Sequence, residues 1–129
     1  MDRPLSVFSG LEIPVYVVWD NDQGGQNANP EDNRRMLRLV GAPVTDWPVG
    51  VFDRYACLDH DLETTLRTQL TQPIYDGLLA QCQTEFAIPK KTHAQKNAYV
   101  IERMISRAHQ AGHRCLTLEG IVERVLALA

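Results

Sequence analysis

Residues 13–25 read IPVYVVWDNDQGG, an apolar run that passes directly into a polar loop. The run is short, rich in β-branched and aromatic residues and without polar alternation, which fits a strand buried on both faces. The Asp, Asn and Gly residues behind it favour a turn. Strands buried on both faces belong to parallel sheets, and parallel neighbours are joined by crossovers, usually helical, so the stretch points to an α/β fold.

The following segment supplies such a crossover. Asn29 is placed as an N-cap, Pro30 at the first helical position and Asp32 in the first turn, with Met36, Leu37, Leu39 and Val40 before Gly41; together they predict a helix over 30–40. Residues 41–50, with Pro43, Trp47 and Pro48, read as an irregular connector. Residues 54–58, RYACL, form a second strand candidate that runs into Asp59, His60, Asp61, Leu62 and Glu63. A helix over 61–70 then carries Leu62, Leu66 and Leu70, and Pro73 opens another that stops near Phe86.

Thr92 and Gln95 have the spacing of a capping box, and Ile101, Met104, Ile105 and Ala108 mark one apolar face up to Gly112. Thr117 is expected to cap a last helix with Leu118, Ile121, Val122, Val125 and Leu126 facing inward. Five helices against two strands leave a doubly wound sheet short of strands, so the expectation is one α/β domain over 1–129 that lacks part of its sheet.

Composition narrows the class. The chain has 129 residues, of which 44% are hydrophobic and 22% charged, an ordinary globular balance. No apolar run reaches the roughly 20 residues that cross a bilayer, and the first residues lack the pattern of a secretory signal, so a soluble cytoplasmic protein is expected. Cys57, Cys82 and Cys115 fit neither a disulfide framework nor a paired zinc spacing, and are expected as reduced core residues. A formal net charge of −3 argues against binding nucleic acid through bulk positive charge, though a carboxylate cluster that holds cations makes the formal charge more negative than the loaded surface.

Two acidic clusters carry the chemistry. Asp20 and Asp22 directly follow the first strand, and Asp59, Asp61 and Glu63 follow the second. Ligands of α/β sheets bind at the carboxyl ends of parallel strands, so both clusters are expected on one edge. Hard oxygen donors suit Mg²⁺ or Mn²⁺, and a cation would offset the mutual repulsion of acids held close together. The plainer alternatives are a polar turn at Asp20–Asp22 and, at the second cluster, an N-cap with acids complementing a helix dipole. His60 beside the second cluster is expected at most to support the acids, and Trp19 and Trp47 to pack.

The stretches VYVVWDND, YACLDHDLE, HAQKNAYVIERMI and GHRCLTLEGIVERVL, in this order over residues 13–129, resemble the second half of the Toprim domain in the OLD (overcoming lysogenisation defect) family of ATP-dependent endonucleases. The resemblance implies a Rossmann-like fold, truncated at its N-terminal side, and metal-dependent hydrolysis of DNA. It matches Asp20 and Asp22 to the family's Asp-x-Asp, and Asp59, Asp61 and Glu63 to its later acidic cluster. Lys96, followed by Asn97, best fits the family's functional lysine, with Lys91 next. The family's early glutamate has no match, because Glu12 precedes the strand instead of ending one, and the ATPase domain expected in a full-length protein is absent from this sequence.

The resemblance leaves room for a homodimer. Two other functions fit the same residues: a non-catalytic Toprim remnant or oligomerisation module, and a phosphohydrolase with Asp20 as nucleophile.

Overall fold

The computed structural model describes residues 6–7 and 10–128. In chain order the elements named here are β1 (Val17–Asp20), α1 (Pro30–Val40), β2 (Gly50–Val51), β3 (Tyr55–Leu58), α2 (Leu62–Leu70), α3 (Gln72–Glu85), α4 (Lys91–Gln95), α5 (Ala98–Gln110) and α6 (Leu116–Ala127). They fall into two compact units: one runs to Leu62 and resumes at Thr117, and the other is Glu63–Leu116.

The first unit is built on a three-stranded sheet of order β1-β3-β2. β1 and β3 are parallel, with Val17 opposite Tyr55 and Asp20 opposite Leu58. β2 is antiparallel to β3, so the sheet is mixed and not wholly parallel as the sequence led us to expect. The two residues of β2 lie at the end of the stretch read as connector, too short to announce themselves by periodicity.

Successive side chains of a strand point to opposite faces, and β1 uses both. Val15, Val17 and Trp19 pack with Met36 and Val40 of α1 on one face, together with Tyr55. Tyr16 and Val18 join Ala56, Leu58, Val51, Leu62, Leu118 and Ile121 on the other, which α6 covers. This double coverage is why residues 15–19, VYVVW, show no alternation; Ile13 and Pro14 before them are exposed. α1 begins and ends as its sequence dictates: the Asn29 side chain accepts the Glu31 N–H at 3.0 Å, and Gly41 closes the helix at φ 74°.

In α6 only Ile121 is fully buried; Val122, Val125 and Leu126 are exposed, contrary to the expected inward face. Thr117 also lies inside the helix instead of capping it. The helix meets the sheet along the narrow stripe of Leu118 and Ile121, and its remaining apolar residues lie off that stripe.

The second unit is helical. α3 packs on α4 and α5. Leu66, Leu70, Tyr75, Leu79, Cys82, Val100 and Met104 are among its fully buried side chains. The buried Tyr75 hydroxyl accepts from Gln95 Nε2 at 3.0 Å, and the Arg67 guanidinium lies 4.9 Å from the Tyr75 ring centre.

The capping box expected at Thr92 does not start the long helix. The chain instead makes the short α4, breaks at Lys96 and Asn97, and restarts with Asn97 as the N-cap, its side chain accepting the N–H groups of Tyr99 at 2.9 Å and Val100 at 3.3 Å. A side chain that satisfies two otherwise orphaned donors outweighs the Thr-x-x-Gln pattern. The three cysteines form no disulfide and are buried, as expected. Among the described residues no helix is long and apolar enough to cross a membrane.

Candidate functional site

Asp20 is the last residue of β1, and β1 lies alongside β3, so the loops after the two strands leave the sheet at the same edge. Backbone pairing continues past the strands: the Asn21 N–H donates to the Leu58 carbonyl at 2.9 Å, and the Asp22 N–H to the His60 carbonyl at 3.0 Å. Asp20–Asp22 and Asp59–Asp61 are thereby held as neighbouring segments. The parallel arrangement brings the segments carrying Asp20, Asp22, Asp59 and Asp61 to one edge; Glu63, expected with them, lies in the helical unit.

Asn21, between the two acids, is the residue that sequence reasoning passed over. It is 1% exposed and hydrogen-bonded on every side. Its Oδ1 accepts the N–H of Gln23 and the N–H of His60, each at 2.9 Å. Its Nδ2 donates to the Pro48 carbonyl at 3.0 Å and to Asp59 Oδ1 at 3.4 Å. A second buried amide, Asn33 of α1, donates to the Asn21 carbonyl at 3.0 Å and the Asp46 carbonyl at 2.9 Å, while its Oδ1 accepts the Trp19 indole N–H at 3.0 Å. Buried amides persist only where their hydrogen bonds are made, and these two fix both acidic loops to the sheet and to α1.

The backbone at the edge is strained. Asp22 and His60 both take the left-handed conformation, at φ 59° each. Asp and His tolerate this region better than most non-glycine residues, yet it remains uncommon, and such residues gather at functional sites. At Gly25 a Cβ would meet the Asp22 carbonyl oxygen at 3.1 Å, a tight contact that a side chain there could make only by shifting the loop by a few tenths of an ångström.

His60 reaches back over the first loop. Its Nδ1 donates to the Gln23 carbonyl at 2.7 Å, and its Nε2 lies 3.3 Å from Asp61 Oδ2. Both ring nitrogens face acceptors, so the doubly protonated ring has the full set of partners. Its pKa is raised above the usual histidine value, first by the Gln23 carbonyl and then by the charges of Asp61, Asp22 and Asp59. The same acids mark the neighbouring thiol: burial, followed by the charges of Asp20, Asp22 and Asp59, pushes Cys57 up to about 12. A histidine and a thiol on either side of the edge therefore both feel a concentrated negative field.

Carboxylates in such a field are oxygen donors suited in type to Mg²⁺ or Mn²⁺. Among the described residues, however, no three His, Cys, Asp or Glu side chains come together closely enough to hold a metal ion. The loops are assembled; a chelate is not. The remaining residues singled out by sequence lie in the helical unit. Glu63 is in the first turn of α2. Lys91 opens α4 and stands 4.0 Å from Asp76, and Lys96 ends that helix with its side chain exposed.

Among the described residues, the apolar groove at the start of β1, lined by Ile13, Val15, Val17, Leu39 and Val40, has Glu12 and Arg54 as its ionisable groups. The acid-bearing loops lie at the other end of the strand. No protein-family model, curated protein or solved structure matches the chain.

Proposed function

We propose that the edge formed by Asp20, Asp22, Asp59 and Asp61 binds a divalent cation, Mg²⁺ or Mn²⁺, and that the chain is a Toprim-like, Rossmann-like module of an OLD-type endonuclease that hydrolyses DNA. The observation that carries the reading is the pair of backbone hydrogen bonds, Asn21 to Leu58 and Asp22 to His60, that locks two acid-bearing loops side by side at parallel strand ends. Ligand sites of α/β sheets form in this position. Because Asn21 fixes the loop backbones, rotation of the carboxylate side chains is the motion left for completing a cation site.

A bound cation would supply charge stabilisation and a water of lowered pKa for attack on a phosphodiester. The protein's own residues prepare that chemistry. Asn21 orients the loops, and the four acids provide oxygen donors whose repulsion a cation relieves. His60, bonded to Gln23 and facing Asp61, tethers one loop to the other. Supercoiled DNA should be nicked in Mn²⁺ by the wild-type chain and not by Asp22→Ala; equal nicking by both would remove the acids from the reaction.

A second reading is a non-catalytic module that keeps the fold. It is favoured by the failure of three ligating side chains to converge among the described residues. On that reading the Asn21 network serves stability alone, and Mn²⁺ protects neither the wild type nor the variant against unfolding.

A further inference from the structure

The formal charge is divided unequally along the chain. Glu63–Leu116 holds seven Lys and Arg against four Asp and Glu, a formal +3, in a protein of net −3. Within this unit the positive charge is concentrated. Residues 86–101, FAIPKKTHAQKNAYVI, contain Lys90, Lys91, His93 and Lys96 and no acid, and all four of these side chains are exposed. Asp76 stands 4.0 Å from Lys91, with both side chains about half exposed, a solvated pair that offsets the patch little.

An aromatic ring stands in the same segment. Tyr99 is 76% exposed, the most exposed large apolar side chain among the described residues. Its neighbour Val100 is fully buried and, with Met104 and Ala108, carries the inward face of α5, which turns Tyr99 outward. Lys96 and Tyr99 flank the Asn97 cap, whose two hydrogen bonds hold the start of α5 rigid. α4 between Lys91 and Lys96 is one short helix, so the lysines are spread along a distance of roughly 8 Å at 1.5 Å per residue.

Clustered cations with an exposed ring beside them make the combination that grips single-stranded nucleic acid: lysines contact phosphates and a base stacks on the aromatic face. An acidic peptide would use the lysines but would gain little from an outward tyrosine. We propose that residues 90–99 of the helical unit, chiefly Lys90, Lys96 and Tyr99, form a binding surface for single-stranded nucleic acid.

The surface deepens the proposed function by naming where the substrate strand is held, and rests on that reading only in taking nucleic acid as the ligand. Binding needs no cation, so it is tested apart from cleavage. A fluorescently labelled oligothymidylate of about 15 nucleotides is titrated with the whole chain in EDTA at about 50 mM salt, and anisotropy is read across a salt series.

Each lysine that meets a phosphate contributes about 0.7 to the slope of log affinity against log salt on a single strand, so Lys90→Ala with Lys96→Ala lowers the slope by about 1.4. Tyr99→Ala weakens binding about tenfold and Tyr99→Phe restores it, because the ring and not the hydroxyl stacks. All three positions are exposed, and circular dichroism checks that the variants fold. No binding by the wild type, an unchanged salt slope in the lysine variant, or equal competition by polyglutamate with no effect of Tyr99→Ala overturns the proposal. Binding with these signatures but without nicking in Mn²⁺ upholds this surface and removes the nuclease reading.

Discussion

Asn21 accepts the backbone N–H of His60 on its side-chain oxygen at 2.9 Å, joining the loop after β1 to the loop after β3 across 39 residues of sequence. The same oxygen accepts from Gln23, and the amide nitrogen donates to Pro48 and Asp59. Asn21→Ala leaves these partners behind in a buried setting, where an unsatisfied group costs about 1–3 kcal/mol. We expect a loss of about 2–3 kcal/mol in urea unfolding. A loss below about 0.5 kcal/mol would mean that the loops hold together without the asparagine.

His60 provides a pH test in metal-free protein. Its pKa is raised, so its contribution to stability is complete below the unfolded value near 6.5 and is lost as pH rises through the folded value. NMR titration should place His60 above 6.5, and His60→Ala should flatten the decline in stability between about pH 6 and 8. A folded-state value below 6.5 would show that Gln23 and Asp61 do not favour the protonated ring.

Cys57 gives a second titration. With its folded value pushed up to about 12, the thiol stays protonated, and its contribution is present below the unfolded value and lost as pH rises between about 9 and 12. At pH 8 a thiol reagent should label Cys57 only as the chain unfolds, since burial withholds both access and thiolate. Rapid labelling of Cys57 in the native chain, read by peptide mass spectrometry, would contradict the buried placement.

The restart of the chain at Asn97 makes a paired prediction. Asn97→Ala removes a side chain that caps two N–H groups and should cost about 1 kcal/mol; Thr92→Ala should cost less than half of that. Equal costs would return the capping role to Thr92.

These outcomes bear on what the sequence made legible. The buried strand, the α1 cap at Asn29 and the parallel neighbour at residues 55–58 could be read because each is a local signal: β-branched density, an Asn-Pro start, a Gly stop. β2 could not, since two residues have no period. The exposed face of α6 was missed because an apolar residue at helical spacing is compatible with burial without requiring it; which of Ile121 and Val122 is inside depends on the sheet it meets. At the edge the acids were legible by composition. Asn21 was hidden between them, because its importance comes from partners 27 to 39 positions away.

The central claim is that the strand-end acids bind a divalent cation, and a Mn²⁺ titration followed by electron paramagnetic resonance tests it most directly. A saturable site is expected on the wild-type chain, weakened at least tenfold in Asp22→Ala and in Asp59→Ala, each with unchanged circular dichroism. Mn²⁺ binding that does not saturate, or that is the same in both variants as in the wild type, would contradict it.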